Sequence, residues 1–140
     1  MLSTVEELKL HHVGIVVPSI QKACVFWSLL VTKADMKIEY IDSQKVNICL
    51  LPFGEINLEL IEPSSCDSPV YSFAQQGGGF HHLCYETRNL ERSIYTLVQQ
   101  KFRLLVKPVL GFEQRTIAFL INPFENTGVE IIELASRRSE

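Results

Sequence analysis

Two stretches of this chain open alike and stay alike. "HHVGIVVPSI" begins at His11 and "HHLCYETRNL" at His81, which sets His12 and His82 70 residues apart in a chain of 140. Aligning them puts Ser19 on Asn89, both suited to capping a helix N-terminus. Ile20 then falls on Leu90, Cys24 on Ile94 and Trp27 on Leu97, an i, i+4, i+7 spacing that marks one face of a helix. A duplicated phrase constrains both halves at once, because each copy must build the same elements.

The likeness continues past the helix. Pro52 lies 40 residues after His12, and Pro123 lies 41 after His82. Before each proline is a run rich in strand formers, "KVNICLL" and "RTIAFLI", and after each comes another, "INLELIE" and "GVEIIEL". One more strand is expected after each helix, in "KIEYID" and in "FRLLVKP". Each half therefore reads β-α-β-β-β. The expected layout is a single domain over 8–135, with module one at about 8–62, a linker over 63–78, module two at about 79–135 and a tail over 136–140. In the linker, "SPVYSFAQQ" reads as a short helix begun by Ser68 with Pro69 in its first position. Two such modules predict an α+β fold with a curved, mostly antiparallel sheet, helices on its outer face and a pocket on its concave side.

Composition removes several function classes. Hydrophobic residues make up 46% and charged residues 21%, as in an ordinary folded domain. A net charge of −3 gives no basic face for nucleic acid or anionic lipid, and Arg137 and Arg138 read as a solvated tail. No apolar run approaches the ~20 residues of a membrane span, and the acidic start "MLSTVEELKL" lacks a signal-peptide core. A cytoplasmic protein is expected. Cys24, Cys49, Cys66 and Cys84 form no CxxC pair and read as buried thiols.

Strand alternation locates the chemistry. Val13, Ile15 and Val17 share one face of the first strand, and His12 and Gly14 take the other. Ile56, Leu58 and Leu60 make a helix-packing face, with Glu59 opposite. His82 stands against Leu83 and Tyr85, and Glu133 alternates against Ile132 and Leu134. His12, Glu59, His82 and Glu133 are thus expected on the face away from the core. Neutral imidazole and ionised carboxylate suit one divalent ion such as Zn, Ni, Co, Mn or Fe, whose Lewis acidity stabilises charge on substrate oxygens. His11 and His81 are expected to be structural or to support their neighbours, and Glu62, Glu86 and Glu130 to be exposed charges.

At these residues the chain resembles the vicinal oxygen chelate superfamily, which includes glyoxalase I, methylmalonyl-CoA epimerase, extradiol dioxygenases and bleomycin resistance proteins. "HHVGIVVPSI", "GEINLELIEP", "GGGFHHLCYET" and "GVEIIEL" resemble the four ligand strands of its epimerase and glyoxalase branch, and "DSPVYSF" resembles the epimerase linker. The resemblance implies the glyoxalase-like fold, a metal-binding cup and a homodimer. It also implies an isomerase or lyase that moves a proton next to a carbonyl or thioester while the metal holds the enediolate oxygens. The substrate would be a small thioester or a hemithioacetal, and Glu133 would act as base with Glu59 as its partner across the metal. Asn47 stands where such epimerases carry a second glutamate base, and an amide takes no proton from carbon. Asn47 and Arg115 are the expected substrate-binding residues. The alternative is a non-catalytic small-molecule binding or resistance protein of the same fold.

Overall fold

The computed structural model describes residues 8–30, 37–124 and 128–133, the side chains of Val129 and Glu133 excepted. The element order repeats as the sequence does. First come β1 (Lys9–Val16), α1 (Ile20–Trp27), β2 (Ile38–Ile41), β3 (Val46–Phe53) and β4 (Ile56–Pro63). After the short helix α2 (Tyr71–Gln75) come β5 (Gly79–Thr87), α3 (Leu90–Gln99), β6 (Arg103–Leu110), β7 (Thr116–Ile121) and β8 (Gly128–Glu133).

Both long helices start where the sequence marks them. Ser19 Oγ accepts from the Lys22 N–H at 3.2 Å, and Asn89 Oδ1 accepts from the Arg92 N–H at 3.0 Å. Each cap satisfies a donor that the first helical turn leaves open, an effect of ~1 kcal/mol. The linker helix differs from expectation, starting at Tyr71 rather than at Pro69. The Ser68 hydroxyl donates to the Gln44 carbonyl at 3.0 Å and accepts from the Val70 N–H. That bond ties Ser68 to the turn before β3, and the helix begins only beyond it.

By packing, the described chain forms two units, His11–Leu83 and the residues from Cys84 onward together with Leu8–Leu10. The division falls inside β1 and β5 rather than in the linker. Within His11–Leu83 the strand order is β2-β3-β4-β1, followed by the first residues of β5. β1 runs parallel to β4, with His12 opposite Asn57 and Gly14 opposite Glu59. β3 is antiparallel to β2 and β4 and sets Leu50 opposite Glu59. α1 covers one face. Its Ile20 and Cys24 pack on Val17, Cys49, Leu51, Leu58 and Leu60, with Val13, Ile15 and Trp27 at the margin. Burying each of these large side chains contributes ~2 kcal/mol. Because side chains alternate, His12, Gly14 and Glu59 face the other way.

The second unit repeats the plan, with strand order β5-β8-β7-β6. α3 packs Leu90 and Leu97 on Ala118, Leu120 and Ile131, and Leu8, Phe102 and Leu104 join them. The opposite face carries Cys84, Ile117 and Ile132, with Val109, Phe112 and Phe119 around them. Glu130 stands opposite Phe119 in the β7–β8 ladder and so belongs to this second face. A 3₁₀ turn at Phe112–Gln114 precedes Arg115, with Glu113 and Gln114 in left-handed conformation (φ 54° and 59°). Among the described residues no helix is long and apolar enough to cross a membrane. Arg137 and Arg138 lie outside the described residues.

Candidate metal centre

Three residues of His11–Leu83 bring their polar atoms to one point. His12 is 0% exposed, His82 1% and Glu59 5%. His12 Nε2 lies 3.1 Å from His82 Nε2 and 3.3 Å from Glu59 Oε1, which is 3.9 Å from His82 Nε2. Strand register explains the meeting. Glu59 sits opposite Gly14, two residues along the same face from His12. Gly14 has no side chain, and the His82 ring occupies the space a Cβ would take. A Cβ built there would stand 2.3 Å from His82 Cε1.

Each imidazole is also held from behind. His11 Nδ1 is 2.7 Å from His12 Nδ1, and His81 Nδ1 is 2.7 Å from His82 Nδ1. The rings of each pair meet edge to face, with centroids 5.0 Å apart. Phe73 of α2 borders His81, and the Asn57 amide donates to the His11 carbonyl at 3.3 Å.

The donor set fits a divalent cation. Burying two imidazoles and a carboxylate is costly unless a charge or hydrogen bond offsets it. Two ligand atoms that each bond one ion at about 2.05 Å lie roughly 2.9 Å apart at a right angle and 3.3 Å apart at the tetrahedral angle. The 3.1 Å and 3.3 Å separations fall in that range. Nitrogen and carboxylate ligands suit zinc and its neighbours in the first transition row.

Other expected site residues are placed differently. Asn47 pairs with Glu62 across the β3–β4 ladder and shares its strand face with Cys49 and Leu51, so it lies on the α1 face, away from Glu59. On the site face β3 carries Ile48, Leu50 and Pro52. Glu62, expected as a free surface charge, accepts from the Ile20 N–H at 2.7 Å and so anchors the start of α1. Arg115 is buried to 9% side-chain exposure and paired with Glu86, and its other nitrogen reaches Glu113 at 3.5 Å. Its charge is therefore engaged by two carboxylates of its own unit. Glu130, expected to be exposed, is buried. Glu133 ends β8, three residues beyond Glu130 and so on the opposite phase of the strand, and its side chain lies outside the described residues. Cys24, Cys49 and Cys84 are buried as expected, but Cys66 is exposed. Burial pushes the Cys49 thiol up to about 11, and neighbouring Cys24 adds to the effect.

A duplicated α+β domain with two imidazoles and a carboxylate converging on one buried point defines a class of candidate metal-binding folds. The family model described as Glyoxalase/Bleomycin resistance protein/Dioxygenase superfamily matches residues 11–119, and the chain belongs to that superfamily. It is 35% identical over 134 residues to the uncharacterized protein YqjC of Bacillus subtilis, covering 94% of each chain. It is 30% identical over 129 residues to the mitochondrial methylmalonyl-CoA epimerase of Homo sapiens, covering 90% of this chain and 72% of that one. Its fold matches the crystal structure of methylmalonyl-CoA epimerase from Mycobacterium tuberculosis with a TM-score of 0.83 and 24% identity, over 98% of this chain and 95% of that one. The glyoxalase-like fold that the resemblance implies is thus the fold observed.

Proposed function

We propose that this chain is a divalent-metal-dependent epimerase-type enzyme that moves the proton on the carbon beside the thioester carbonyl of a short acyl-CoA. The observation that carries the reading is the convergence of His12 Nε2, His82 Nε2 and Glu59 Oε1 within 3.9 Å of one another. The likeness to methylmalonyl-CoA epimerases supplies the substrate class. The relative of known activity described above is an epimerase, which favours the thioester over the hemithioacetal, and the converging donors speak against a purely sequestering module.

His12, Glu59 and His82 would hold the ion. We assign the fourth ligand to Glu130 instead of Glu133. "LELIE" of β4 and "VEIIE" of β8 align so that Glu59 matches Glu130 and Glu62 matches Glu133. The offset of 71 is the one that relates Pro52 to Pro123. Within its unit Glu130 is buried and faces away from α3, as Glu59 faces away from α1. When bound, the ion supplies Lewis acidity to the substrate's carbonyl oxygens, which lowers the cost of removing the adjacent proton. Glu59 and Glu130 are the carboxylates available to take that proton and return it. β3 offers only apolar side chains on its site face, so a second base would not come from that strand. A homodimer and a cytoplasmic location belong to the same proposal, the first tested by sedimentation and the second by cell fractionation.

The test is incubation with a short acyl-CoA bearing an acidic α-proton, such as methylmalonyl-CoA, in deuterated buffer with added Zn, Co, Ni or Mn. Metal-dependent deuterium uptake at the α-carbon supports the proposal. Uptake that is absent with every ion, in protein that binds the ion, refutes it.

A further inference from the structure

We infer that His11 and His81 are positioning residues that fix the tautomers of the two metal-binding histidines. This rests on the metal-binding reading above. The geometry is the same in both repeats, with the two Nδ1 atoms of adjacent histidines 2.7 Å apart in β1 and again in β5. A hydrogen bond between two imidazole nitrogens needs one proton shared between them. Two arrangements meet that condition. If His11 donates, His12 carries its own proton on Nε2, the atom that faces Glu59 and His82, and that nitrogen is closed to a cation. If His12 donates, its Nε2 lone pair is exposed and its Nδ1 is fully used. The same choice holds for His81 and His82.

The arrangement around the Nε2 atoms decides between them. His12 Nε2 and His82 Nε2 face each other at 3.1 Å with Glu59 Oε1 beside them. With both Nδ1 protons directed outward, three electron pairs point at one buried spot, and a divalent cation satisfies all three. His12 and His82 are thus Nδ1–H tautomers, and His11 and His81 accept through Nδ1 and hold their own protons on Nε2. A ligating histidine usually gives its second N–H to a carboxylate or carbonyl. Here a neighbouring imidazole takes that place, which accounts for a histidine doublet opening both repeats. Each support is itself braced, His11 at its carbonyl by Asn57 and His81 on its ring by Phe73.

Nitrogen-15 NMR of the histidine rings at pH 7.5, without metal and with one equivalent of Zn²⁺, reads the tautomers directly. Zinc-loaded protein should show Nδ1–H on His12 and His82 and Nε2–H on His11 and His81. Nδ1–H on His11 or His81 overturns the inference. A zinc competition titration gives an independent reading. His11→Leu and His81→Leu should each weaken binding 10- to 100-fold. His11→Asn and His81→Asn, whose Oδ1 can accept in place of Nδ1, should stay within about fivefold of wild type on the same scale. Leu variants that stay folded and bind zinc as tightly as wild type overturn the inference and leave the metal reading intact. Wild-type protein that takes up no Zn²⁺ overturns both.

Discussion

Replacing Gly14 with alanine tests the site through one methyl group. The backbone fixes where the new Cβ must go, 2.3 Å from His82 Cε1, 2.6 Å from Nδ1 and 2.8 Å from Nε2. Ordinary contact begins at 3.4 Å, so the ring must retreat by about 1.1 Å. Cε1 lies between the two ring nitrogens, and the imidazole is rigid, so Nε2 moves with it. Metal–ligand distances tolerate only ~0.2 Å of error. The same movement disturbs the 2.7 Å contact with His81. Zinc affinity should fall by roughly 10- to 100-fold, the usual cost of disturbing what orients a metal-ligating histidine. Overpacking should lower stability by ~1–3 kcal/mol, or roughly 3–15 °C in Tm. Competition titration against a chromophoric chelator and a melting curve with and without metal measure the two effects separately. A Gly14→Ala protein that binds zinc within threefold of wild type and melts at the wild-type temperature would refute the placement of His82 over Gly14.

Glu59→Gln keeps the shape of the side chain and removes its charge. It should abolish the stabilisation by metal, which for wild type at 100 times Kd amounts to about 2.7 kcal/mol and is read as a rise in Tm, while the metal-free protein melts no lower than wild type because a buried charge has been removed. Deuterium uptake into the acyl-CoA should be lost in Glu130→Gln and kept in Glu133→Gln, and the reverse result would return the fourth ligand to Glu133. Cys49 holds its proton more tightly folded than unfolded, so its contribution is complete below pH 9 and is lost as pH rises toward 11. Urea titrations should show wild type losing roughly 2–3 kcal/mol over that interval, and Cys49→Val should flatten the loss.

Much of the fold was legible because the repeat states it twice. The two caps, the apolar faces of α1 and α3 and the strands around Pro52 and Pro123 each carry a local signal, and each appears where that signal lies. His12, Glu59 and His82 were legible for the same reason, since strict alternation from a known core face fixes a side chain's direction. The proposal of Glu130 in place of Glu133 also draws on a signal in the sequence. The 71-residue offset of the prolines, applied to Glu59, leads to Glu130, whereas alternation counted from Leu134 leads to Glu133. The outward turn of Asn47 depends on which ladder partner it meets, Glu62, and register between strands is not written in either strand alone. The pairing of Arg115 with Glu86 joins residues 29 apart through tertiary packing. Side-chain alternation also gives no hint that adjacent histidines reach around to touch at Nδ1.

The central claim is most directly tested by diffraction from crystals soaked in Zn²⁺, with data collected on both sides of the zinc absorption edge. The account predicts one anomalous peak, bonded at about 2.0–2.2 Å to His12 Nε2, His82 Nε2 and a Glu59 oxygen. A peak bonded elsewhere, or an empty position between these three groups at full soaking concentration, would contradict it.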